Sequence, residues 1–303
     1  MTIPFIKYAK VWFVISIATV ILSVAAVATW GIKLGIDFTG GSLIEFSYSK
    51  ERPTTESIEK TLESEGLKQY ITQKAGDNKY LIRTSFLTEE QHQSLVKKMQ
   101  SDFGKDGNVV HEESFETIGS AVSEQLRQKA VSSIIWVNIA IILYVAYAFR
   151  RVTRPVASWK YGLLAIVALV HDIFLVLGVF AVLGKFAGIE VETDFVLALL
   201  TVLGFSVTDT IVVYDRVREN LIHHSANNFA DVVNVALNET LMRSINTTLT
   251  VLLPLFALYF IGGESIRNFA LALLVGMASG AYSSIFIASP LLVFVEKWQR
   301  RNA

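Results

Sequence analysis

The chain has 303 residues, 52% of them hydrophobic and 18% charged, with a mean hydropathy of +0.46; it is too apolar for an average soluble domain and too charged for a purely membrane-embedded one, so two parts are implied. Its 27 Lys and Arg balance its 27 Asp and Glu, which gives no electrostatic ground for nucleic-acid binding. There is no GxxxxGK[ST] phosphate loop, since the glycines between Gly178 and Lys185 stand one residue too far apart, and with no Cys there is neither disulfide nor thiolate chemistry.

Val11 to Trp30 are twenty uncharged, mostly apolar residues behind Lys7 and Lys10. At about 1.5 Å per residue they cross a hydrocarbon core of ~30 Å. Ala26-Val27-Ala28 has the form of a signal-cleavage site, but the run outlasts the roughly 7–15 residues of a signal h-region, so it is read as a span.

From Gly31 to Ala130 the composition turns soluble, with thirteen of the basic and sixteen of the acidic residues. Alternation through Gly41–Tyr48 predicts a strand. Thr54 to Glu65 reads as a helix ended by Gly66, and Lys68–Lys74 and Lys79–Ser85 as strands around a Gly76-Asp77-Asn78 turn. A second helix starts at a Thr88-Glu89-Glu90-Gln91 capping box, and Asn108 to Thr117 supplies the last strand. The order β-α-β-β-α-β is that of a ferredoxin-like split βαβ unit.

Five further apolar segments follow: Val131–Phe149, Tyr161–Gly184, Phe195–Tyr214, Ser244–Gly263 and Asn268–Val295. The expected fold class is an α-helical integral membrane protein of six transmembrane helices, with a ferredoxin-like α+β domain between the first and second. The expected domains are residues 1–30, 31–130 and 131–303. Lys7, Lys10, Arg150, Arg151, Arg154, Lys160, Arg216, Arg218, Lys297, Arg300 and Arg301 flank the side holding both termini, against Lys185 and Arg267 in the short opposite loops. By the positive-inside rule the termini are cytoplasmic and the ferredoxin-like domain is outside. No internal repeat or low-complexity segment is evident.

Asp209 sits alone in the Phe195–Tyr214 span, about 7 Å to the cytoplasmic side of its middle. A charged Asp near a span centre costs roughly 2.5–3.5 kcal/mol by insertion scales, so such residues face a bundle interior or cavity and mark ion or proton paths. Desolvation disfavours a charged carboxylate and a nearby cation favours it, which makes a switch. The alternative is an acid that only ties helices together. Thr201, Gly204, Thr208 and Asp215 form a weakly polar stripe beside it. On the next span Glu239, Arg243, Asn246, Thr247 and Thr250 form a polar stripe running into the membrane. Arg243 is the candidate partner cation, unless it only snorkels to the headgroups; the stripe is expected to line a water path beside Asp209, with Pro254 allowing a bend. His171-Asp172 is a second ionisable pair at membrane depth, for a proton path or for interhelical hydrogen bonds. Glu190, Glu192 and Asp194 read as a solvated face, and Asp215, Arg216, Arg218 and Glu219 as anchoring ion pairs. Gly276, Gly280, Ser284 and Ala288 form a small-residue stripe that suits a helix contact within the chain or between chains. His223-His224 is too little for a metal site.

Together, Gly35-Ile-Asp-Phe-Thr-Gly-Gly41, His171-Asp172, the segment Gly204-Phe-Ser-Val-Thr-Asp-Thr-Ile-Val-Val-Tyr-Asp-Arg-Val-Arg-Glu-Asn220 and Asn238-Glu-Thr-Leu-Met-Arg-Ser-Ile-Asn-Thr247 resemble the SecD/SecF protein-export family over essentially the whole chain. One departure is Thr208, where the family usually has Asn. The resemblance implies a non-enzymatic, cofactor-free subunit of a bacterial inner membrane that uses the proton gradient to drive secreted preproteins through the SecYEG channel. It implies pairing with a SecD half, YajC and YidC as further partners, and no nucleic acid. It carries proton transport onto Asp209 and Arg243, leaving His171, Asp172, Thr208, Asn246 and Thr247 as secondary polar positions. The rival reading is half of a resistance-nodulation-division exporter of lipids or small molecules; a second rival is a passive scaffold in which Asp209 and Arg243 only pair.

Overall fold

A computed structural model describes residues 2–105, 107–150, 156–223 and 228–302; Arg151, Arg154 and His224 lie outside them. In chain order the elements are α1 (Ala9–Trp30), α2 (Ile36–Thr39), β1 (Gly41–Tyr48), α3 (Thr55–Ser64), β2 (Tyr70–Ala75), β3 (Lys79–Thr84), α4 (Glu89–Phe103), β4 (Val110–Ile118), α5 (Ser120–Ala148), α6 (Ser158–Phe186), α7 (Thr193–His223), α8 (Phe229–Ile261), α9 (Glu264–Ser283), a π-helical turn (Ser284–Ala288) and α10 (Ser289–Asn302). They divide into two units, one of residues 34–129 and one of residues 1–33 with 130–303.

In the smaller unit the period-2 pattern of β1 turns Ile44, Phe46 and Tyr48 inward, where they meet Tyr80 and Ile82 of β3. Ile58 and Leu62 of α3 and Leu95 and Met99 of α4 close this core. The sheet order is β2-β3-β1-β4 with every neighbouring pair antiparallel. Both helix starts are held by threonine: Thr54 accepts from the Ser57 amide, and Thr88 and Gln91 complete both halves of the capping box. Burial, reinforced by Tyr80, holds the Tyr48 phenol well above its ordinary range. Gly41 adopts φ 115°, and a Cβ there would lie 2.5 Å from the Thr84 carbonyl oxygen. Only glycine lets β1 start this close to β3.

Among the described residues six helices are long and apolar enough to cross a membrane, by length and composition: 6–30, 120–148, 159–186, 193–222, 229–261 and 266–301. They outrun the apolar segments of the sequence because the helices at 193–222 and 229–261 continue through charged ends. The last span also departs from the uninterrupted helix expected over 268–295. Pro290 has no amide hydrogen and its ring crowds the carbonyl of Phe286, so the ladder widens just before it into the π turn. Hydroxyls take up the loosened carbonyls: Ser289 Oγ donates to Ser284 O at 2.8 Å and Tyr214 Oη to Ala288 O at 3.2 Å.

The larger unit's core joins Ala165 and Leu169 of α6, Leu203, Val207 and Tyr214 of α7, Ala236 and Leu237 of α8, and Leu292 of α10. The small-residue stripe is spent here, within the chain. A Cβ on Gly276 would collide with the Val202 side chain, and one on Gly280 would lie 2.8 Å from Ser206 Cβ. The α7 side chains of Val202 and Ser206 therefore seat directly against the α9 backbone.

Candidate functional site

Among the described residues three carboxylates are buried in the membrane unit, Asp172, Asp209 and Glu296, and the surroundings of the two aspartates differ in kind. Asp172 of α6 is fully buried. Its Oδ1 accepts from Ser279 Oγ at 2.6 Å and from His171 Nδ1 at 3.1 Å, and its Oδ2 from Ser206 Oγ at 2.7 Å and Ser283 Oγ at 2.8 Å. Four donors from three helices thus fill the acceptor sites of one carboxylate. Thr210 and Ser284 hydroxyls meet at 2.8 Å, adding a second link between α7 and the π turn. Sequence reasoning picked His171 and Asp172 but missed Ser206, Ser279 and Ser283. The available signal was the one-turn spacing of Ser279 and Ser283, beside the glycines, in an otherwise apolar span.

Asp209 lies on the neighbouring face of α7 and is 6% exposed. Its Oδ2 is buried and has no hydrogen-bond partner. Among the described residues neither a hydrogen bond nor an ion pair joins it to Arg243, yet the Arg243 guanidinium is near enough to act on it electrostatically. Thr208 does not help it: the Thr208 hydroxyl turns back to Gly204 O at 2.8 Å.

The polar stripe of α8 lies on the outside of this chain. Glu239, Arg243, Asn246, Thr247 and Thr250 are all exposed, whereas Thr240, Ser244 and Thr248 form the face packed inward with Ala236 and Leu237. The residues share one face as their spacing predicts, and among the described residues that face is exposed from Arg243 to Thr250. Thr247 and Thr250 donate to the carbonyls of Arg243 and Asn246, at 2.9 and 2.7 Å. Ser244 Oγ and Thr248 Oγ1 are buried without partners. Pro254 sits inside the unbroken α8.

The charged ends are ion-paired. Arg216 donates to Glu239 at 2.7 Å and Glu219 at 2.6 Å, Asn220 joins Glu239 at 2.8 Å, and Arg218 pairs with Asp215 at 2.9 Å. Glu190, read from sequence as solvated, pairs instead with Lys33 at 3.1 Å. Asn238 clamps the start of the chain, accepting from the Ile3 amide at 2.7 Å and donating to the Ile3 carbonyl at 2.9 Å. Among the described residues no cluster of three or more His, Cys, Asp or Glu could hold a metal ion.

Residues 96–298, more than half of the chain, match the family described as protein export membrane protein SecD/SecF, C-terminal, and residues 26–51 match the SecD/SecF GG motif. Protein translocase subunit SecF of Thermobaculum terrenum is 37% identical, with 99% of this chain and 95% of the relative covered. Protein translocase subunit SecF of Synechocystis is 36% identical, with 99% and 96% covered. The crystal structure of SecDF, a translocon-associated membrane protein from Thermus thermophilus, superposes with a TM-score of 0.82 at 32% identity; it covers 99% of this chain, which spans 39% of that one. By matched profile, near full-length likeness and shared fold, this chain belongs to the SecD/SecF family of protein-export membrane proteins.

Proposed function

We propose that this chain couples proton movement to protein export, with Asp209 as the exchanging group and Arg243 as its charge partner. Family membership gives the role in Sec protein export. The observation that supports the coupling is the buried Asp209 Oδ2 that no donor satisfies, beside a cation that acts on it without bonding to it. An unpaired group of this kind is costly to keep in a membrane and marks a working site. One proton crossing about 100 mV releases roughly 2.3 kcal/mol, enough to bias a two-state element severalfold.

The exposed stripe around Arg243 supports a second helical subunit as its cover. Bare to lipid, Arg243 and Asn246 would be expensive. We assign that cover to a SecD-type half, because the solved structure this chain matches is of SecDF, of which the chain spans 39%. In this reading the antiparallel sheet with its two helices is a ferredoxin-like domain outside the bacterial inner membrane, and both termini are cytoplasmic. The domain acts on preproteins leaving SecYEG, with YajC and YidC as neighbours, and the chain is a non-enzymatic subunit that needs no cofactor.

The test is Asp209→Asn in cells lacking the native copy, with export of a secreted reporter and the level of the chain both measured. Normal chain levels with export lost support the coupling. Normal export would refute it and leave a scaffold.

A further inference from the structure

The residues ahead of α1 are strapped to α8 through two asparagines one helical turn apart. Asn238 Oδ1 accepts from the Ile3 amide at 2.7 Å, and its Nδ2 donates to the Ile3 carbonyl at 2.9 Å and to Asn234 O at 2.8 Å. Asn234 Nδ2 donates to the same Ile3 carbonyl at 3.2 Å, and its Oδ1 accepts from the Ile6 amide at 3.3 Å. A side-chain amide carries both a donor and an acceptor, so two of them at i and i+4 can grip a passing backbone from both sides. Between the gripped residues, Phe5 is buried in the core of the membrane unit and meets Phe286 of the π turn edge-on at 5.8 Å. The strap therefore has a polar hold on α8 and an aromatic plug against the last span.

Ile3 stays 46% exposed, so its bonds do little to bury it. What they constrain is α8. The next residue, Glu239, takes Arg216 and Asn220 of α7 at 2.7 and 2.8 Å. Residues 238 and 239 point about 100° apart, so α8 is held here from two directions, by the strap and by α7. Arg243 lies one turn beyond Glu239 on the same face, and a slide or rotation of α8 at Asn238 carries it along. Arg243 acts on Asp209 through space, with no hydrogen bond between them among the described residues. Such an interaction varies with separation, and the separation follows where the α8 backbone is held.

We infer that Asn234 and Asn238 are positioning residues: they lock α8 to the segment ahead of α1 and so set the distance of Arg243 from Asp209. The consequence for export rests on the proposed exchange at Asp209, whereas the hold on α8 does not.

The chain has no Cys, so Ile222→Cys on α7 and Met242→Cys on α8, both exposed positions, carry spin labels at those two points alone. In the full chain in nanodiscs, Asn238→Leu should shift the label distance by about 1–2 Å, the scale of ordinary helix shifts. Ile3→Pro, which deletes the amide that Asn238 accepts, should shift it too, and should add nothing in the Asn238→Leu background, where that amide has no partner to lose. In cells lacking the native copy, export of a secreted reporter is followed across external pH together with the level of the chain. Displacement of Arg243 should move the pH of half-maximal export, whereas loss of folded chain lowers export by one factor at every pH. An unchanged label distance in Asn238→Leu, an Ile3→Pro shift that persists in that background, or a shifted distance with an unmoved pH profile would each overturn the inference. Where Asp209→Asn loses export, an unchanged distance removes the positioning role and leaves the coupling standing; where Asp209→Asn exports normally, the coupling fails, and the positioning role with it.

Discussion

Asp172→Ala removes the acceptor on which Ser206, Ser279, Ser283 and His171 converge. The three serine bonds cross between helices. Interhelical hydrogen bonds in membrane proteins average about 0.6 kcal/mol and reach about 1.7, so losing three costs roughly 2–5 kcal/mol. Asp172→Asn keeps one acceptor oxygen, and the hydroxyls that then face the amide nitrogen can turn to accept from it. Its cost should be about half. Dodecyl sulfate titration of the chain in mixed micelles, followed by tryptophan emission, would rank wild type, then Asp172→Asn, then Asp172→Ala. An Asp172→Ala variant within about 0.5 kcal/mol of wild type would refute the view that this carboxylate locks α6 to α7 and α9. If Asp172→Asn kept the fold but lost export as fully as Asp209→Asn, Asp172 would belong to the proton path as well.

Gly280→Ala pushes a methyl against Ser206 and should cost about 1–3 kcal/mol by the same titration, as overpacking does. Gly204→Ala meets no neighbouring atom and should gain up to about 1 kcal/mol from helix propensity, so a shared sign for the two would be contrary. Arg243→Lys should impair export without lowering chain levels, since a compact ammonium cannot reproduce a planar guanidinium's donors; normal export at native expression would speak against it. Gly41→Ala forces a side chain into positive φ against the Thr84 carbonyl, and hydrogen exchange of β1 and β3 amides should accelerate at least about fivefold relative to wild type, for a cost of about 1–3 kcal/mol.

Local rules carried the smaller unit. β1 spans Gly41–Tyr48 as alternation predicts, and the Thr88 capping box forms both of its bonds. In the membrane unit periodicity gives which residues share a helix face but not what covers that face. The stripe of Arg243, Asn246 and Thr247 was therefore legible and its outward direction was not. The Asp172 cage was illegible for a related reason: its donors come from α7 and α9, 34 to 111 residues from the acid, and a serine in a span looks like a packing residue until a carboxylate is set opposite it. Pro290 was the signal for the π turn, yet α8 stays unbroken around Pro254, so a proline within a span does not by itself locate such a turn.

The contrast between the two acids argues for their division of labour. A carboxylate whose acceptor sites are filled by four donors is costly to protonate, because a donor must turn away or find another acceptor in a medium without water. Asp172 is held in that way, by donors from α6, α7 and α9. Asp209 has a buried oxygen with nothing bound to it, near a guanidinium that acts on it without a hydrogen bond, so adding a proton to that oxygen breaks no hydrogen bond. Of the two buried aspartates, the under-satisfied one is the better switch and the saturated one the better joint. With Ser206 bonded to Asp172 and Asp209 three residues further along the same helix, the proposed coupling at Asp209 would act through α7 on the joint that holds it.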